Sequence, residues 1–147
     1  MKQINRGASI NTVAAYFIKR PAVSAIYLFG SFAKGLARKN SDIDIGVLFA
    51  AGMSPLERFE QKLEITNDLE DLLELKIDVV DLESADLFFL HQVMTHKLLL
   101  LDRDVNRRVS FEVKKRQEYF DRTHFYELYH RQALKRLDDQ RSKYYHG

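Results

Sequence analysis

The chain has 147 residues, 46% hydrophobic and 30% charged, with 23 Lys plus Arg against 21 Asp plus Glu for a formal net charge of +2. That is an ordinary globular composition, sized for one domain or one domain with a short appendage, and the balanced charge excludes a strongly basic coat for non-specific nucleic-acid binding while leaving a local patch open. Cysteine is absent, which excludes disulfides, thiol catalysis and Cys-ligated zinc or iron–sulfur centres.

Asn11 to Arg20 reads as a helix with Val13, Ala14, Phe17 and Ile18 on one face, stopped by Pro21. Val23 to Phe29 is short, apolar and rich in strand formers, and it ends at Gly30: a buried strand. Ile43 to Phe49 is a second strand. Ser54-Pro55-Leu56-Glu57 is a helix start, with Ser as the cap, Pro at the first helical position and Glu completing a capping box. That helix is expected to run to about Glu74, with Leu56, Phe59, Leu63, Thr66, Leu69 and Leu73 on its inner face. Lys76 to Leu82 is a third strand, Ser84 caps a helix over Ala85 to about His96, and Leu98 to Leu101 is a short apolar strand or turn.

Two further helices are expected, Val105 to about Phe120 and about Thr123 to Ser142, the first with Val105, Val109, Val113 and Phe120 at helical spacing. Strands alternating with helices, then helices alone, predict an α/β core over 1–101 and a helical C-terminal extension over 102–147. Charge follows the same division: 11 basic and 13 acidic residues precede Asp102, and 12 basic and 8 acidic residues follow from it. The longest aliphatic run, Leu98 to Leu101, is far short of a bilayer span, and Met1 to Ile18 holds no signal-peptide core, so no membrane association and a cytoplasmic location are expected.

The chemistry concentrates in Phe29-Gly30-Ser31, a ten-residue spacer, and Asp42-Ile43-Asp44-Ile45-Gly46-Val47. Strand side chains alternate faces, so Asp42 and Asp44 share one face while Ile43, Ile45 and Val47 enter the core. Two like charges so placed are costly without a cation, and carboxylate oxygens suit Mg²⁺ or Mn²⁺. Asp78 sits mid-strand between apolar residues in Lys76-Ile77-Asp78-Val79-Val80-Asp81. If that strand lies beside the first, three carboxylates converge on a two-metal site. Asp81 is a rival but, three residues on, points to the opposite face. Gly30-Ser31, directly after a buried strand, is a turn able to bring backbone N–H groups and a hydroxyl to phosphate. Taken singly, Gly-Ser is a common turn and Asp-x-Asp is as often a solvated edge; their conjunction in this order is the signal.

Gly-Ser-x10-Asp-x-Asp with a later strand Asp resembles the DNA polymerase β-type nucleotidyltransferase superfamily over about Ala22 to Leu82. The Lys97–Asp104, Arg108–Glu112 and Tyr119–Asp121 stretches are similar to the minimal nucleotidyltransferases of the MntA antitoxin type, which pair with HEPN toxins. The resemblance implies a small mixed sheet in a polymerase β-like core. It implies that Gly30 and Ser31 hold the triphosphate of ATP. Asp42 and Asp44 would bridge two Mg²⁺ ions, and Asp78 would complete the metal at the attacking hydroxyl. The implied function is an antitoxin that transfers AMP to a tyrosine of a cognate HEPN ribonuclease, in a hetero-oligomer with it. Lys34, Arg38 and Lys39 lie in the spacer and are candidate γ-phosphate contacts, though each is singly more in keeping with a solubilising loop charge.

Arg122 and His130 stand too far apart for the Arg-x4–6-His motif of the toxins, and His91 and His96 are read as structural or surface groups. The aromatic, basic back segment, from Phe111 to Tyr145, reads as helix packing plus a protein-docking face, and direct nucleic-acid binding is not expected. Two alternatives stay open: an antitoxin that masks its partner by binding alone, and a nucleotidyltransferase acting on a small molecule.

Overall fold

The computed structural model describes residues 6–30 and 42–146, with side chains over 7–30 and 42–143. Among them lie four strands, β1 (Val23–Phe29), β2 (Ile43–Phe49), β3 (Ile77–Asp81) and β4 (Leu98–Asp102), and four helices, α1 (Arg6–Ile18), α2 (Pro55–Leu73), α3 (Leu87–Thr95) and α4 (Val105–His146). The strands form one mixed sheet in the order β3-β2-β1-β4. β1 runs antiparallel to both β2 and β4, and β2 runs parallel to β3. The parallel pair needs a crossover, and α2 supplies it.

Both faces of the sheet are covered, which is why the two central strands are apolar nearly throughout. Val13 and Phe17 of α1 and Ile65 and Leu69 of α2 pack one face, against Ile26, Leu28, Ile45, Val47, Ile77 and Val79. Leu90 and Val93 of α3 pack the other, against Ala25, Tyr27, Phe29, Leu48 and Leu82, with Phe111 of α4 alongside. A register shift between Val23 and Ala25 marks an irregularity of the β-bulge kind. Beyond it the alternation is inverted, so Ile26 and Leu28 join Val23 on the first face while Tyr27 and Phe29 turn to the second.

The strands fall where the sequence predicts them, and Leu98 to Leu101 resolves as strand rather than turn. Ser54 caps α2 as expected, its hydroxyl accepting the Glu57 N–H at 3.2 Å. The helix faces need correction. α1 begins earlier than Asn11, at least from Arg6, and Ile18 is exposed. On α2, Leu56, Phe59 and Leu63 face outward. The inward row runs from half-buried Arg58 through Ile65 and Leu69 to half-buried Leu73, because Arg58 is drawn in by Asp81 at 2.8 Å and donates to the Met53 carbonyl at 2.9 Å. Asp86, not Ser84, caps α3, its carboxylate accepting the Phe89 N–H at 3.2 Å. Ser84 instead closes the turn after β3 by donating to Asp81.

The two predicted back helices are one continuous helix, α4. No Gly or Pro interrupts Phe120 to Thr123, so nothing breaks the ladder there. Val105, Val109, Val113 and Phe120 are exposed. The row facing the sheet is largely polar instead, with Phe111 its apolar member. Buried Glu112 accepts from the Tyr27 hydroxyl at 2.8 Å, pairs with Lys97, and pairs with Arg108 at 3.1 Å. Arg108 also holds Asp102 at 2.7 Å. Burial alone would raise the Glu112 carboxyl; the bonds from Lys97 and Tyr27 and the nearby cationic charges outweigh it and hold Glu112 below the usual carboxylate range. Among the described residues no helix is long and apolar enough to cross a membrane.

A depressed folded-state acid stabilises at pH values above its unfolded value, and that contribution is lost as pH falls through its folded value. Glu112→Gln is therefore expected to cost about 2 kcal/mol at pH 7. Thermal melts taken from pH 7 into the acid range should show the gap between wild type and variant closing below about pH 4. A gap that stays constant would mean Glu112 does not anchor α4.

Candidate active site

The parallel ladder sets Asp44 of β2 directly beside Asp78 of β3. Ile43 and Ile45 on one strand, and Ile77 and Val79 on the other, turn into the core on the α1/α2 side. Asp44 and Asp78 therefore face the α3/α4 side together, and Asp42, two residues before Asp44, shares that face. Burial raises the Asp44 carboxyl above its ordinary value, and the charges of Asp78 and Asp42 raise it further. Lys76 reaches Asp42 at 3.9 Å, but both groups are well exposed and the pair does little to offset the cluster.

Gly30 follows β1, whose last residue, Phe29, pairs with Asp44. Its φ is +70°, and a Cβ built there would stand 2.2 Å from Asp44 Oδ2. Only glycine allows both the left-handed turn and the carboxylate against its backbone. Gly46 has a parallel role one step along the same face of β2: a Cβ there would meet Leu82 Cδ2 at 2.9 Å. Sequence reasoning did not single out Gly46, and its one signal is a glycine inside an otherwise apolar strand.

Asp42, Asp44, Asp78 and Gly30 are thus brought to one end of one sheet face. Ser31 and the spacer residues Lys34, Arg38 and Lys39 lie outside the described residues. Asp81 is turned to the opposite face and engaged by Arg58 and Ser84, so it serves the β3–α2 contact. Among the described residues no three Asp, Glu or His side chains already form an ion-holding cluster. The donor set is nonetheless all carboxylate oxygen, crowded enough that Asp44 resists ionisation, which is the chemistry a hard divalent cation satisfies.

The raised Asp44 value carries a stability consequence with a definite sign. A raised folded-state acid is tolerated below its unfolded value, and stability falls as pH rises through the folded value. Asp44→Asn should accordingly raise Tm by a few degrees at pH 7–8 in chelator, and the advantage should shrink in acid. A lowered Tm at pH 7–8 would show that Asp44 is not repelled by its neighbours.

Residues 11–106 match the family described as Polymerase beta, Nucleotidyltransferase. The chain is 36% identical over 95 residues to the protein adenylyltransferase MntA of Shewanella oneidensis, covering 65% of this chain and 63% of that protein. It spans less than two thirds of the length of the curated relatives it matches. It also resembles a chain in a crystal structure of a toxin–antitoxin with AMP-PNP: 30% identity, TM-score 0.61, covering 80% of this chain and 89% of that one. A structure of a tri-AMPylated HEPN toxin from Shewanella oneidensis in complex with its MNT antitoxin matches at 27% identity and TM-score 0.61, covering 80% and 88%.

Proposed function

The chain belongs to the polymerase beta nucleotidyltransferase family, and we propose that it is an antitoxin that moves AMP from ATP to a tyrosine hydroxyl of a cognate HEPN ribonuclease toxin in the cytoplasm. The observation that carries this reading is the register of Asp44 with Asp78 on parallel strands, with Asp42 on the same face and the Gly30 turn against Asp44. The named activity of the Shewanella relative and the AMPylated toxin in the matched complex support it.

In the proposed reaction Asp42, Asp44 and Asp78 are the residues that would hold Mg²⁺. Mg²⁺ bound there would neutralise phosphate charge and ease ionisation of the acceptor hydroxyl, whose unperturbed pKa is about 10. Gly30 and Ser31 seat the triphosphate; Gly30 has no side chain to stand between it and Asp44. The tyrosine oxygen bonds to the α-phosphorus, the bond to the β-phosphate oxygen breaks, and pyrophosphate leaves. Asp78, exposed at the edge of the site, receives the proton.

The outward side chains of α4, among them Phe125 and Tyr129, both 65% exposed, are the surface proposed to dock the toxin. That same surface favours a second reading, in which binding alone masks the toxin.

Intact mass spectrometry of the HEPN partner after incubation with this chain and Mg-ATP separates the two. AMP-sized increments are expected with wild type and none with Asp42→Asn/Asp44→Asn, which should also lose toxin neutralisation. Neutralisation that persists in the double variant without increments would establish masking and end the enzymatic reading.

A further inference from the structure

A cleft of about 450 Å³ opens beside Gly30, between the end of β1 and the outer face of α3. That size is in the range of small-molecule sites. Phe89, His91, Gln92, Val93 and Thr95 line it from α3, and His96 from the C-cap of that helix. The Phe29 and Phe89 rings meet edge to face at 5.7 Å, which fixes Phe89 while leaving it 38% exposed. Gln92 and His96 are exposed as well. None of these residues is occupied by the Glu112 network or by the acidic cluster.

The geometry points to this cleft as the site of the nucleotide base, with Phe89 as the stacking platform and the Gln92 amide as the group that selects adenine. The inference rests on the nucleotidyl-transfer reading above. Gly30 belongs to both the cleft and the carboxylate cluster, so a nucleotide whose phosphates meet Asp44 has its base within reach of α3. An exposed aromatic ring gives any base a stacking face. Adenine presents one donor and one acceptor along its pairing edge, and a single carboxamide matches both. Guanine presents two donor groups there and calls for a carboxylate, and among the described residues no carboxylate lines the cleft.

Calorimetric titration of ATP and of GTP into the full chain with Mg²⁺ tests the assignment. Wild type is expected to favour ATP. Gln92→Glu loses the donor and gains an acceptor, so it should bind ATP about tenfold more weakly and GTP more tightly. Phe89→Ala should weaken both nucleotides alike, by about tenfold. Both side chains are exposed, and circular dichroism of each variant checks that the fold is kept. An ATP-to-GTP ratio unmoved by Gln92→Glu, or affinities unmoved by Phe89→Ala, overturns the base site and leaves the transfer reading intact. Nucleotide binding with the expected ratio shift but no AMP transfer to a partner sustains the base site and overturns the transfer reading. A wild-type chain that binds neither nucleotide overturns both.

Discussion

Two carboxylates face each other across the β2–β3 ladder, and the surrounding structure keeps them there. Like charges directly opposite would favour a slip of the strands, yet a one-residue slip would turn Ile43, Ile45 and Val47 out of the core. The apolar face of β2 thus fixes the register that its acidic face resists. α2 closes the crossover between the two strands, and Arg58 on its first turns grips Asp81 at the far end of β3. Repulsion at one end of the pair is opposed by an ion pair at the other.

The strands and the acidic motif were legible because alternation is a short, local code. Ile43-Asp44-Ile45 and Ile77-Asp78-Val79 each declare which side is buried, and Gly30 declares the turn. Parity separates Asp78 from Asp81, and the structure sends the two to opposite faces; the preference for Asp78 rests on its interior placement and on the resemblance. The placement of the two strands side by side was not local information. It came from the resemblance, and the parallel pairing agrees with it.

The helix faces were not legible in the same way. Apolar periodicity assumes that a helix buries its oily stripe, and on α2 and α4 part of the inward row is charged. Arg58 and Glu112 are tolerated inside because each finds a full set of partners: Asp81, Glu83 and the Met53 carbonyl for one, Tyr27, Lys97 and Arg108 for the other. Met53 and Arg108 are near neighbours, but Asp81, Glu83, Tyr27 and Lys97 lie far away in sequence, so no window of residues around Arg58 or Glu112 reveals them. The outward Leu56–Phe59–Leu63 and Val105–Val109–Val113 rows are the other half of the same misreading. Gln92 is illegible for a related reason: a polar residue on an exposed helix face has no signature until the neighbouring cleft is known.

The irregularity near Val23 bears on how this strand can change length. Between the Pro21 turn and Gly30, side chains are counted in twos, and the shift before Ala25 supplies the odd count. Removing one residue there would return β1 to unbroken alternation. A deletion just after Ala25 would instead carry Tyr27 and Phe29 to the first face. Tyr27 would then part from Glu112, and Phe29 would leave Phe89. A single-residue deletion beyond the irregularity would thus reach both the anchoring of α4 and the wall of the cleft, whereas one at the irregularity would spare both.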